Sequence, residues 1–412
     1  MDINLNMIAG LDIGNGYVKG QYLVEGGQPD VVDFPSSVAF VTTPNEIKVQ
    51  ESEIAESVEN IMNEMEASFT SPTVKDTSYR IFGRRGIEAG EGIEEFDTSG
   101  HNSKAEQDLS GVLVLGSIAG SALKEYYHRN KRLPEEIVHV KAAISLALPI
   151  AEFRTVRSLY AGKFLEGTHM VTIHNFERQL IFEIKFLDVQ VLAEGAPAQF
   201  SIVSRGVPLA QAMLDDVRAH GDPMDGVTAE DILNASSTIG IDIGEGTVNF
   251  PVFREGKFNK DVSHSINKGY GTVLDKTIRQ LATKGILFDS RKALSSSLLK
   301  KSNHLSANRD GIIRHALTKE MTGFCKEIGR EFSKLLSKTS AYVEVVYVYG
   351  GGASAMKDIL YPILLEAARN KDDVSLSYPV LYLDSNYSRC LNRDGLFLVE
   401  QQVVANKNVF GA

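Results

Sequence analysis

Apolar positions along this chain switch between a period of two and a helical period, and that alternation sets the expected architecture. Residues 6–24 read as a hairpin, with NMIAGLDI and YVKGQYLV flanking Gly14-Asn15-Gly16. An Asn-Gly turn of this kind is expected to place its central residues at positive φ. DLSGVLVLGSIAGSALKEYYHRN (108–130) is apolar at helical spacing and ends in basic residues that suit a helix C-terminus. Beyond Pro134, EEIVHVKAAISLALPI reads as a buried strand that runs into a loop at Leu148-Pro149. AEFRTVRSLYAGKFLEG (151–167) reads as a connecting helix ahead of two strands, THMVTIHN and QLIFEIKFLDVQVLAEG. A mostly helical stretch covers 198–235 and leads into a second strand–turn–strand unit, SSTIGIDIGEGTVNFPVF (236–253). Helices are expected through 270–340, then an apolar strand, AYVEVVYVYGGG, and the amphipathic helix SAMKDILYPILLEAARN. A short strand, PVLYLD, precedes a tail, LFLVEQQVVANKN. Strands alternating with helices predict an α/β protein.

Composition changes this picture only at the edges. At 412 residues the chain has room for two or three domains with their own cores. A net charge of −10 argues against non-specific attraction to DNA or to an anionic membrane. The first ten residues lack a basic region followed by an apolar core, so no secretion signal is expected there. No apolar run approaches the roughly 20 residues of a membrane-spanning helix. Two distant cysteines, Cys325 and Cys390, give neither a metal site nor a disulfide framework and suit a reducing cytoplasm. Residues 51–110 carry 14 Asp or Glu against 5 Lys or Arg and read as a peripheral, solvated subdomain. The histidines show no metal-ligand spacing, and His139, on an apolar strand, is expected in the core.

The candidate chemistry lies in a repeated word. D-I-G-x-G-x-V occurs at Asp12–Val18 and again at Asp242–Val248, 230 residues later. Each copy sits in a strand–turn–strand unit. A repeat at half the chain length points to two similar domains rather than to a short-period array. Gly-x-Gly turns leave backbone N–H groups open to phosphate oxygens, because no Cβ blocks the approach. An aspartate beside each turn suits a hydrated Mg²⁺, which prefers carboxylate, water and phosphate oxygens. Lys19 is placed to reach a phosphate as a point charge. A third glycine loop, Gly350-Gly351-Gly352, follows a buried strand and opens a helix, and would let backbone pass close to a base or ribose. Taken alone, that loop also fits a dinucleotide fingerprint, but no acidic residue follows at the expected distance. The loop word G-x-x-x-x-G-K-[ST] is absent.

Together these elements resemble the actin, heat-shock-70 and sugar-kinase superfamily. The order is a first phosphate loop (Asp12–Lys19), a connecting segment (Ala143–Ile150), a second phosphate loop (Asp242–Thr247), an adenosine loop (Val348–Ser354) and a closing connection (Asn392–Gly395). Within that group, DIGNGYVKG, ALPIAEFR, VQVLAEGAPAQF and SINKGYGTVLDK are most similar to bacterial plasmid-segregating actins of the ParM type. The resemblance implies two actin-like (ribonuclease H-like) α/β domains, each with a mixed sheet and helices, flanking a cleft for ATP or GTP with Mg²⁺. It implies that Asp12 and Asp242 hold Mg²⁺ through water and position the lytic water, with the phosphates on Gly14, Asn15, Gly16 and Lys19 and on Gly244, Gly246 and Thr247. Glu194 would orient the attacking water, Gly350, Gly351 and Gly352 would pack near the adenosine, and Gly269 would line the base side. Glu245 departs from the pattern, because its carboxylate would be repelled by phosphates unless it points outward or meets the metal.

The domains expected on this basis are 1–160 with a peripheral part at about 30–110, 161–385 with a helical part at about 265–340, and a segment 386–412 returning to the first. The function implied is a cytoplasmic, filament-forming ATPase that partitions plasmid or similar DNA. Its partners would be copies of itself and an adaptor protein on a centromere-like site, with no direct nucleic-acid or membrane contact. A small-molecule kinase and a non-polymerising nucleotide switch of the same superfamily remain the alternatives.

Overall fold

The first strand, β1 (Ile3–Ile13), alternates buried and half-exposed side chains only as far as Ile8; from Ala9 to Ile13 every residue is buried. Loss of alternation marks a strand covered on both faces. The computed structural model describes residues 3–44, 48–76, 78–89, 92–97, 103–220, 224–369, 378–383 and 385–411. Parts of the 51–110 stretch, and Asn370 and Asp384 at the ends of the expected helix and strand, lie outside the described residues. The chain divides into two units, Met1–Ser201 with Cys390–Ala412, and Ile202–Arg389.

In the first unit, β1 pairs antiparallel with β2 (Tyr17–Val24), which pairs with β3 (Asp30–Pro35). On its other side β1 runs parallel to β8 (Val138–Leu148), and β8 runs parallel to β10 (Leu180–Ala193). The sheet continues antiparallel through β9 (His169–Ile173), β5 (Glu66–Thr70), β6 (Tyr79–Phe82), β4 (Val38–Val41) and β7 (Ile93–Glu94). Three parallel strands therefore form the middle, and they deliver Asp12, Leu148 and Ala193 to the same edge.

Three expectations are corrected here. The boundary expected at 160/161 falls instead after Ser201, because β10 pairs with β8 along its length and the helix Ile150–Leu165 with β9 supplies the crossover. The acidic 51–110 stretch is not a peripheral appendage, because its strands extend the same sheet. Its apolar residues Val58, Ile61, Met62, Phe69 and Phe82 are buried, and Phe82 and Met62 press on Gly116 and Gly120 of the helix Asp108–Asn130. Larger residues at those two positions would leave no room for them. His139, expected in the core, is half-exposed and bonds Glu183 at 2.9 Å.

The tail LFLVEQQVVANKN is a helix, Leu391–Lys407, packed on β1 and β8. A Cβ on Gly10 would overlap the backbone of Phe397, and one on Gly395 would overlap the backbone of Pro197. The second unit holds β11 (Thr238–Ile243), β12 (Val248–Phe250), the small hairpin β13 (Phe253–Arg254) and β14 (Lys257–Phe258), β15 (His264–Ile266), β16 (Val345–Tyr349) and β17 (Val380–Tyr382). Its main sheet runs β15-β12-β11-β16-β17, with β11, β16 and β17 parallel. The helices Tyr270–Ala282, Arg291–Leu299 and Ala307–Thr339 share a core of Leu274, Leu281, Leu294, Ile313 and Ala316. Among the described residues no helix is long and apolar enough to cross a membrane.

Glu400, on the C-terminal helix, is fully buried against β8, where Ser145 Oγ donates to its Oε2 at 2.7 Å. Burial pushes its carboxyl up to about 8, with Asp188 adding to the rise and Ser145 and Lys407 opposing it. The native state therefore holds this proton more tightly than the unfolded chain, whose carboxyl titrates near 4.5. That contribution is complete below the unfolded value and is lost as pH rises through the folded one. Glu400→Gln should match the parent near pH 4 and become more stable than it by about 3–5 kcal/mol at pH 9; urea unfolding at both pH values measures the crossover.

Candidate functional site

The two copies of the repeated word fold alike. In the first, Ile13 pairs with Val18, and Gly14 N–H donates to Tyr17 O at 3.0 Å. In the second, Ile243 pairs with Val248, and Gly244 N–H donates to Thr247 O at 2.9 Å. None of Gly14, Asn15, Gly16, Gly244, Glu245 or Gly246 has positive φ, contrary to the two-residue turn expected from Asn-Gly. Each connection is longer, and longer hairpin loops are built around turns that stay at negative φ. Both loops are half-exposed, with the strand residues on either side buried, apart from exposed Tyr17.

In the first unit, Ser36 clasps the loop: its Oγ donates to Gly14 O at 2.5 Å and its N–H donates to Gly16 O at 3.0 Å. Asp12 is buried at the end of β1, and Lys19, opposite it across the hairpin, lies 3.4 Å from its Oδ2. Glu194 leaves β10 at the same edge, its N–H donating to Leu148 O at 2.7 Å, and Gly195 turns the chain at φ 82. Asp12, Lys19 and Glu194 thus share the C-terminal edge of the parallel strands, where α/β sheets bind ligands.

That edge also holds a residue the sequence reading missed. Lys104 is buried, and its Nζ lies 2.8 Å from Glu194 Oε1. Burial works against the ammonium, but the carboxylates of Glu194 and Asp12 outweigh it and raise the Lys104 pKa. Glu152 nearby is raised mainly by burial, with the backbone N–H groups of Lys104 and Ala105 pulling the other way. The available signal was the word Ser103-x-x-Glu106, a helix-start pattern, at which Glu106 N–H donates to Ser103 O and closes a turn.

In the second unit, Asp242 is buried at the end of β11, opposite Asn249, so the position of Lys19 is taken by an amide. Gly350, at φ 101, lies directly over it: a Cβ there would meet Asp242 Oδ1 at 2.5 Å and Ile243 N at 2.6 Å. Gly352 N–H donates to Ile243 O at 2.8 Å, while Gly351 faces open space. On the other flank, Tyr270 N–H donates to Gly244 O at 3.0 Å and Gly271 N–H to Glu245 O at 2.9 Å. Gly269 abuts the Glu245 carbonyl, which leaves no space for a side chain. The second unit thus brings Asp242, Gly244, Glu245, Gly246 and Thr247 together with Gly269, Gly350 and Gly352.

The carboxylate of Glu245 has a partner. Arg291 Nη1 donates to Glu245 Oε1 at 2.8 Å, and its other nitrogens reach Asp275 at 2.7 and 2.6 Å. Hydrogen bonds donated to Asp275 and Glu245 push the guanidinium pKa further up, and the charge on the loop is spent within the helical part of this unit. No group of three or more His, Cys, Asp or Glu able to cage a metal occurs among the described residues. Each unit sets one buried carboxylate, Asp12 or Asp242, directly before its loop.

Comparison with known proteins agrees with this architecture. Residues 240–361 match the family described as archaeal actin homologue MreB-like, C-terminal. The fold is similar to the apo pSK41 ParM protein, at 17% identity over 98% of this chain and 99% of that one, with a TM-score of 0.56. It is similar to Ta0583, an archaeal actin homologue, at 13% identity over 96% and 99%, with a TM-score of 0.61. Bacillus thuringiensis ParM with ATP matches at 15% identity over 96% and 98%, with a TM-score of 0.57. No curated protein matches the sequence. The chain has the actin-like fold, a mixed α/β architecture, and within that class it resembles ParM.

Arg291→Met would leave Glu245 and Asp275 without their shared cation. Both are more than a third exposed, so screening limits the loss to about 1 kcal/mol. Urea unfolding should show that loss, and the double variant Glu245→Gln/Arg291→Met should recover part of it.

Proposed function

We propose that this protein is a nucleotide-dependent, filament-forming actin-like ATPase that segregates plasmid or similar DNA through an adaptor protein. The observation that carries the proposal is the duplicated hairpin, with the same hydrogen bond closing both loops and a buried aspartate before each. A nucleoside triphosphate would place its phosphates against the half-exposed backbone of Gly14–Gly16 and of Gly244–Thr247. Lys19 supplies a point charge there. Asp12 and Asp242 would hold Mg²⁺ through water, and the ion would neutralise the phosphate oxygens. Glu194 orients the attacking water, the main task left to a protein side chain in a loose phosphoryl transfer. Bacillus thuringiensis ParM has been solved with ATP, ADP and AMPPNP, which favours a nucleotide ligand for this fold. The nucleotide is ATP, with GTP as the alternative. The chain's net charge of −10 suits a filament that reaches DNA through a separate protein rather than by direct contact.

Light scattering and sedimentation with Mg²⁺-ATP, Mg²⁺-GTP and no nucleotide test the assembly. Polymer is expected only with nucleotide, and its absence under every condition overturns the filament reading. Acceptor-dependent ADP release without polymer would point to a small-molecule kinase, and tight nucleotide binding without assembly to a switch. Asp12→Ala and Asp242→Ala should each lower Mg²⁺-dependent hydrolysis at least tenfold with an unchanged circular-dichroism spectrum; hydrolysis at the parent rate by both would remove the two aspartates from the site.

A further inference from the structure

Lys104 is the most confined cation at the edge where Asp12 and Glu194 emerge. Its short 3-10 turn, Lys104–Glu106, is tied down on every side. Glu106 closes it, its N–H donating to Ser103 O at 3.0 Å and its Oε2 accepting from Ser103 N–H at 3.4 Å; Lys163 Nζ donates to Ala105 O at 2.8 Å, and Ala105 N–H donates to Glu152 at 3.4 Å. The ammonium also lies 5.6 Å from the centre of the Phe96 ring. A lysine stem normally samples many rotamers, but this one is fixed by the walls around it and ends on Glu194 Oε1 at 2.8 Å.

The backbone of Glu194 is pinned to Leu148, its side chain leaves the sheet at a glycine turn, and Lys104 is among the groups that hold it there. A carboxylate that aligns a water must be held to a fraction of an ångström. We propose that Lys104 is a positioning residue of the hydrolytic site, holding Glu194 through Oε1 in the orientation from which that carboxylate aligns the attacking water. This rests on the assignment of Glu194 proposed above. Lys104 acts through Glu194, and together with Lys19 its charge offsets the carboxylates of Asp12, Glu152 and Glu194 gathered at this edge beside the Tyr160 hydroxyl.

A purely structural ion pair and a positioning one differ in their pH behaviour. Removing the ammonium makes a neighbouring carboxylate harder to ionise, so the acid limb of the kcat profile should move to higher pH in Lys104→Met. The experiment measures steady-state hydrolysis from pH 5 to 9, together with binding of a fluorescent ATP analogue, for the parent, Lys104→Met, Lys104→Arg, Glu194→Gln and Lys104→Met/Glu194→Gln. The expected result is a tenfold or larger loss of kcat in Lys104→Met, with analogue affinity within threefold of the parent and the acid limb moved to higher pH. Lys104→Arg should keep the parent's profile and recover part of the rate. The double variant, which removes both charges and spares the fold a stranded carboxylate, should be no slower than Glu194→Gln alone. An unshifted profile in Lys104→Met, or losses in the double variant that multiply, overturns the inference. If Lys104→Met does not fold, the double variant and Lys104→Arg decide it by the same criteria. A parent that does not hydrolyse, or a Glu194→Gln variant at the parent rate, overturns the Glu194 assignment and this inference with it. Glu194→Gln impaired beside a parent-like Lys104→Met overturns this inference alone.

Discussion

Parallel pairing of strands is the constraint on which the candidate site depends. In the first unit β1, β8 and β10 point the same way, so their last residues arrive together at one edge. In the second unit β11 and β16 do the same, and Asp242 is set opposite Tyr349, one residue before the glycine loop. A parallel sheet is covered on both faces, and at its centre the chain cannot spare volume. Gly10 lies under the C-terminal helix, and Gly240 leaves room for the Tyr349 hydroxyl and Pro251. Hairpins then return from the edge antiparallel, and their loops are the half-exposed backbone at which a ligand can arrive.

The two units handle charge at this edge differently. The first buries a lysine between carboxylates. A pair as buried as Lys104 and Glu194 adds little net stability, but breaking it from one side costs about 3–5 kcal/mol. The second has no lysine across its hairpin. It carries an acidic side chain in the loop itself and draws that charge away with Arg291, at an exposure where the contact is weak enough to exchange. The duplicated scaffold is therefore symmetric in backbone and asymmetric in electrostatics.

Much of this was legible in the sequence, and the boundary of legibility is physical. The hairpins at 6–24 and 236–253, the helix from Asp108, the buried strand 345–349 and its glycine loop all announced themselves through local pattern. The resemblance to ParM-type actins came from the same loops and is the likeness that the fold displays. What failed was what depends on distant residues. The partner of β10 lies on β8 across a helix and another strand, so the unit boundary was misplaced. Acidic composition on the outer face of 51–110 concealed apolar residues such as Phe82 that pair inward. Asn-Gly named the turn correctly but not its length. The ion pairs of Lys104 and of Glu245 span 90 and 46 residues, and no local pattern reports a contact of that kind.

The C-terminal helix gives the first unit a discontinuous chain. Its central strand is synthesised well before the helix that covers Gly10. A ribosome adding about 5–20 residues per second leaves that strand without its cover for tens of seconds. All of Ile202–Arg389 emerges in the interval. The second unit, contiguous in sequence, can close its own core while the first still waits. The second unit can thus complete its fold before the first, and the apolar face of β1 and β8 is the surface a chaperone would meet on the nascent chain.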